Sequence, residues 1–161
     1  MMTASRAQIL IDDFETNTWL IHRHVDGVSD EDSLLQLPFQ ANCLNWILGH
    51  IIWRRNSVLS ALGLAPLWGE STTLKYKTDS KAIKSPANAV PFNDLLADLD
   101  QTNQAIIAAL KEVTDSSLDE VVINDRGEKR VIEHLQGFHW HETYHIGQLD
   151  ILRAFINSKT E

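Results

Sequence analysis

Cysteine is almost missing from this sequence. A single thiol, Cys43, excludes an intramolecular disulfide framework and fits a reducing compartment; it is expected to be a small buried hydrophobe. Basic charge is short too: 14 Lys and Arg stand against 22 Asp and Glu, for a net charge of −8. Nucleic-acid affinity comes from clustered cations meeting phosphates. The densest basic stretches, Arg54-Arg55 and Lys75 to Lys84, are brief and mixed with other residues, so a nucleic-acid partner is not expected. No uninterrupted apolar run approaches the ~18 residues a membrane span needs. The N-terminus, MMTASRAQILIDDFETN, lacks the apolar stretch of a secretory signal. The expectation is a cytoplasmic protein with no membrane partner.

What is present is helical periodicity. A chain of 161 residues, 43% apolar and 22% charged, is expected to form one globular domain over residues 1–161. In the first segment Ala7, Leu10, Ile11, Phe14, Thr18, Ile21 and Val25 recur at spacings of three and four, until Gly27 and the SDEDS run end it. The second, CLNWILGHIIWRRNSVLSAL, follows Asn42 as a candidate N-cap and stops at Gly63. Its N-terminal half is apolar nearly all round. Residues 64–91 hold three of the four prolines and little periodicity, an unusually long connection of the kind that is often functional. Asn93 is a candidate N-cap for the third segment, striped by Leu95, Leu99, Ile106 and Leu110. EVVINDRGEKRV reads as a small hairpin about Asp125-Arg126-Gly127. The spacing predicts helices over 5–26, 43–62, 93–113 and 131–156, an all-α four-helix bundle whose sites are built from inward-facing side chains.

The last helix carries HETYH at 141–145. His141 and His145, one turn apart, share a helix face and can reach one ion. The spelling is that of zinc proteases, where the glutamate is the general base. The third protease ligand is missing, however. The places three and six residues beyond His145 hold Gln148 and Ile151, and the only glutamate further on is Glu161. A peptide deformylase, which adds an upstream cysteine, is the other decoy. Cys43-Leu44 echoes its cysteine motif, but its glycine-rich motif is absent and the surroundings are helical where that fold has strands.

Upstream histidines are the remaining source. His22 and His24 fall on the first helix. At ~100° per residue His139 points ~160° away from His141, a surface or packing residue, and His134 is ~10 Å below it along the axis. His50 differs from these. It sits in WILGHIIW, where an imidazole has little reason to be buried unless something uses it, and Gly49 beside it permits a close approach.

Asn45-Trp46-Ile47-Leu48-Gly49-His50-Ile51, the later His141-Glu142-Thr143-Tyr144-His145-Ile146-Gly147-Gln148-Leu149 and then Leu152-Arg153 together resemble the DinB/YfiT superfamily. The resemblance covers nearly the whole chain. It departs at Ile146, where many members have arginine, and at Gly137, where some carry a further histidine. It implies a four-helix bundle with a nickel- or zinc-type site, one divalent ion per chain held by His50, His141 and His145, and a homodimer. It also implies chemistry among thiol-dependent S-transferases and isomerases.

Three neutral histidines leave an ion its full charge and at least one open position, the arrangement of catalytic sites. Such an ion can activate water or bind a thiol as thiolate. The expected partners are a small-molecule electrophile and a low-molecular-weight thiol; the opposing reading is a non-enzymatic, stress-related bundle stapled by its metal. Glu142 has three possible roles: a catalytic base, a hydrogen-bond partner of a ligand, or a solvent-facing residue. Trp46 and Trp53, flanking His50 at −4 and +3, are either core or the lining of an apolar pocket, and Tyr144 shares that ambiguity. Trp68, in the long connection, is a candidate lid.

Overall fold

The computed structural model describes residues 5–160; residues 1–4 and Glu161, the glutamate weighed above, lie outside the described residues. Helix α1 (Arg6–Val25) starts at Ser5, whose hydroxyl accepts from the Gln8 N–H at 3.1 Å. It ends where Gly27 takes a left-handed φ of +70°. The acidic run beyond it forms a single turn, α2 (Asp30–Ser33). Helix α3 (Leu44–Ala61) takes Cys43, not Asn42, as its N-cap, and no side chain caps it. Gly63 closes it with a φ of +77°.

The long connection contains helix α4 (Glu70–Tyr76) and a 3₁₀ turn at Pro86–Asn88. Helix α5 (Phe92–Glu112) begins after Pro91, one residue ahead of the Asn93 cap the sequence offers. Its first N–H is capped from a distance, by Asp30 Oδ1 at 2.6 Å. The short helix α6 (Asp115–Leu118) then leads to the expected hairpin, β1 (Val121–Asn124) against β2 (Gly127–Arg130). Asn124 faces Gly127 across a two-residue turn. Helix α7 (Val131–Thr160) follows directly.

The four long helices form the all-α bundle expected. They close a ring in the order α1, α7, α3, α5, each packing on two neighbours. Asn17 meets Thr143 and His24 meets Asp150, so α1 and α7 are parallel. Thr18 meets Asn103 and His22 meets Asp100, so α1 and α5 are antiparallel. His50 lies by His145 and Arg55 by Glu142, so α3 and α7 are antiparallel as well. Adjacent α3 and α5 must then be parallel. The chain has to climb back along the 18 residues of α3, ~27 Å at 1.5 Å per residue, before α5 can begin. This return accounts for the length of the 64–91 connection.

The core divides in two. Ile21, Leu48, Leu95 and Leu149 belong to an upper cluster, and Phe14, Val58, Ile106 and Phe138 to a lower one. Between them lie buried polar residues from all four long helices, among them Thr18, Arg55, Thr102 and Glu142. Arg55 is fully buried and forks onto Glu142, with Nε to Oε2 at 2.9 Å and Nη2 to Oε1 at 2.7 Å. It also donates to the Leu99 carbonyl at 3.1 Å and to Thr18 Oγ1 at 2.8 Å. An ion pair out of water needs this degree of hydrogen bonding to offset its desolvation.

Candidate metal centre

His141 and His145 stand one turn apart on α7, and His50 reaches them from α3. Each offers one ring nitrogen, and the three nitrogens lie within 4.8 Å of one another. Nε2 of His141 and Nε2 of His145 are 3.2 Å apart. Two bonds of ~2.1 Å at a tetrahedral angle would hold their nitrogens ~3.4 Å apart, so the pair already has the spacing of a chelate.

Hydrogen bonds fix which nitrogen is free in two of the three rings. His50 Nδ1 donates to the Tyr76 carbonyl at 2.8 Å, and His145 Nδ1 donates to Gln148 Oε1 at 2.7 Å. Each bond leaves the Nε2 lone pair turned inward, the usual way a protein orients a metal-ligating imidazole. His141 Nδ1 is buried and has no hydrogen-bond partner among the described residues. Burial first, and the neighbouring rings second, push His141 down to about 3. Burial likewise lowers His50 to about 4, the Tyr76 carbonyl opposing, and lowers His145, Gln148 opposing. The rings are therefore neutral and their lone pairs available at any physiological pH. A neutral, convergent, all-nitrogen donor set fits a divalent ion of the zinc or nickel type.

Gly49 has a specific use. The ring of Tyr76 lies on it so closely that a β-carbon would collide with Cδ1 and Cε1. The close partner is α4 rather than another long helix. Tyr76, fully buried, is itself tied by its hydroxyl to Asn45 Oδ1 and the Val90 N–H. The missing side chain at 49 thus lets the Tyr76 backbone come within reach of His50.

Above the triad opens a cavity of about 760 Å³, lined by all three histidines. Trp46 lines it and stacks on His50, ring centres 4.7 Å apart at 14°. Tyr144 stands at its edge, 56% exposed, with His145 against its ring. Trp53 touches His50 from outside the cavity, its ring covered by Arg54. Trp68 is not a lid: it is buried, donates from Nε1 to Asp98 at 2.7 Å, and lies off the cavity. The long connection does supply a wall, through Thr78, Asp79 and Ser80. A second wall comes from residues 37–42, which the sequence reading missed because a loop has no periodicity to mark it.

Glu142, a candidate catalytic base in the sequence, faces neither solvent nor the cavity. It is 3% exposed, both its oxygens are held by Arg55, and it does not line the cavity. A general base must reach its proton within ~3 Å or through one water, and this carboxylate is committed elsewhere. The other histidines stay apart from the triad. His22 and His24 pair with Asp100 and Asp150, His139 lies by Asp13, and buried His134 Nε2 meets the Val122 carbonyl. Cys43 is buried as expected, its thiol pushed up by burial.

Comparison with known proteins agrees with this architecture. The profile of the DinB superfamily matches residues 13–149. No curated protein matches the sequence. A crystal structure titled as the conserved protein of locus from Enterococcus faecalis superposes with a TM-score of 0.73. It covers 97% of this chain and 99% of its own at 13% identity. Likeness at that identity speaks for the fold alone.

Proposed function

The chain belongs to the DinB superfamily, and from that premise we propose that it is a metal-dependent enzyme acting on a small electrophile with a thiol or water as nucleophile. The carrying observation is that all three histidines open onto a cavity. An ion that only stapled helices would need no such access. When bound, a divalent ion held by three neutral ligands supplies Lewis acidity to a nucleophile at its open position.

The chain's own residues do the rest. His50, His141 and His145 would hold the ion, with Tyr76 and Gln148 setting the ring orientations of His50 and His145. Trp46, Ile47 and Leu152 exclude water from one flank, which strengthens electrostatic interactions inside. Tyr144 borders the entrance, where it can contact a substrate. We read the protein as a cytoplasmic homodimer.

The test is to load the metal-free protein with cobalt or nickel and titrate it with bacillithiol, glutathione and simpler thiols. Thiolate charge-transfer bands are the expected result. A loaded site that admits neither thiols nor small anions sinks the enzyme reading. It would leave the structural one, which has its own support in the fact that the triad joins the same two helices as Arg55 and Glu142.

A further inference from the structure

The cavity carries formal charge of one sign. Among the described residues lining it none is lysine or arginine, and the only carboxylate is Asp79. Lys77 and Lys81 flank that aspartate in sequence, yet neither lines the cavity. Asp79 is exposed and has no hydrogen-bond or ion-pair partner among the described residues.

The backbone there is unusual. The Ser80 N–H donates to the Lys77 carbonyl at 3.1 Å, closing a turn in which Asp79 has a φ of +62°. Aspartate tolerates that left-handed position, so the turn can present a carboxylate there. The turn is also pinned. Ser80 Oγ donates to the Lys75 carbonyl at 2.8 Å and accepts from Trp46 Nε1 at 2.8 Å. Through Trp46, whose ring stacks on His50, Asp79 has a fixed position relative to the triad. The remaining walls present the aromatic rings of Phe39, Trp46 and Tyr144, whose faces attract cations and repel anions.

We propose that the cavity selects an amine: a small molecule with an apolar body, its ammonium group received by Asp79 and its other end, carrying the donor atom, turned towards the histidines. In the absence of the ion, the cavity walls disfavour carboxylate-rich ligands. The inference deepens the preceding reading of the same site and rests on it for the orientation of the donor end only.

The test uses phenethylamine, 2-phenylethanol and 3-phenylpropionate, which share an apolar body and differ in charge. Each is titrated by calorimetry into chelator-treated protein, so that no ion can favour the carboxylate. The amine should bind about tenfold more tightly than the carboxylate, attraction for one and repulsion for the other each giving a few-fold. Asp79→Asn, which tolerates the left-handed backbone, should bring the three within about twofold. The proposal is overturned if the carboxylate binds as well as the amine, if Asp79→Asn leaves the order intact, or if none of the three binds. Cobalt-loaded protein titrated with cysteamine and 3-mercaptopropionate separates the two readings. Should neither thiol reach the ion while the amine preference holds, nucleophile activation fails and the charge selection stands.

Discussion

At the scale of single residues, His50 is the imidazole that extends a histidine pair on α7 to a group of three. Replacing His50 by Ala should lower metal content, measured after gel filtration, as severely as replacing His141. Stoichiometric, tight binding in the His50 variant would dissolve the cross-helix triad. Gly49 is nearly as sensitive. A methyl group there strikes the buried ring of Tyr76, so Gly49→Ala should destabilise the fold by about 1–3 kcal/mol in urea unfolding. It should also loosen the carbonyl that orients His50; an unchanged midpoint would mean that α4 shifts freely. The grouping of the three histidines was legible in the sequence because helical spacing and an imidazole inside WILGHIIW leave a periodic trace. Arg55 left none. Beside Arg54 it reads as half of an exposed basic pair, and only its register on α3 decides that it turns inward.

At the scale of helices, the polar layer holds the register. Arg55 bonds Glu142 and Thr18 directly and shares the Leu99 carbonyl with Thr102, and a slide of α3 against α7 by a turn would bury the Arg55 charge without its carboxylate. Glu142→Ala should therefore cost about 3–5 kcal/mol, the penalty of leaving a buried charge unpaired. Replacing the pair together with apolar residues should cost much less. A single variant as stable as the parent would show that Arg55 finds water. The four long helices and the hairpin were readable from periodicity and turn chemistry. The capping of α5 by Asp30 was not, since it depends on a contact between distant segments.

For the whole molecule, the triad makes stability depend on pH in the absence of metal. The folded rings titrate at about 4 for His50 and about 3 for His141, against an ordinary value near 6.5 in the unfolded chain. Between those limits the unfolded chain binds more protons. The contribution is therefore complete above pH ~6.5 and is lost as pH falls towards 4 and 3. Urea midpoints of chelator-treated protein should drop over that window and drop less in a His50→Ala, His141→Ala double variant. Equal slopes would assign the loss to carboxylates elsewhere. Association is a second property at this scale. Trp140 and Ile151, 69% and 63% exposed on α7, provide apolar surface for the proposed homodimer. Sedimentation at micromolar concentration should give twice 18.2 kDa, and a monomer mass would refute it.

The return of the chain along α3 has one more consequence, for how such a protein can diversify. The donor atoms ride on rigid helices, while the cavity walls at 37–42 and 78–80 lie outside the four long helices. Those walls can accept new side chains, insertions or altered turns without moving the helix backbones that carry the three histidines. Randomising those nine positions in a library should yield variants with changed ligand preference and near-parental melting temperature, whereas the same effort spent on α3 should mostly yield unfolded protein.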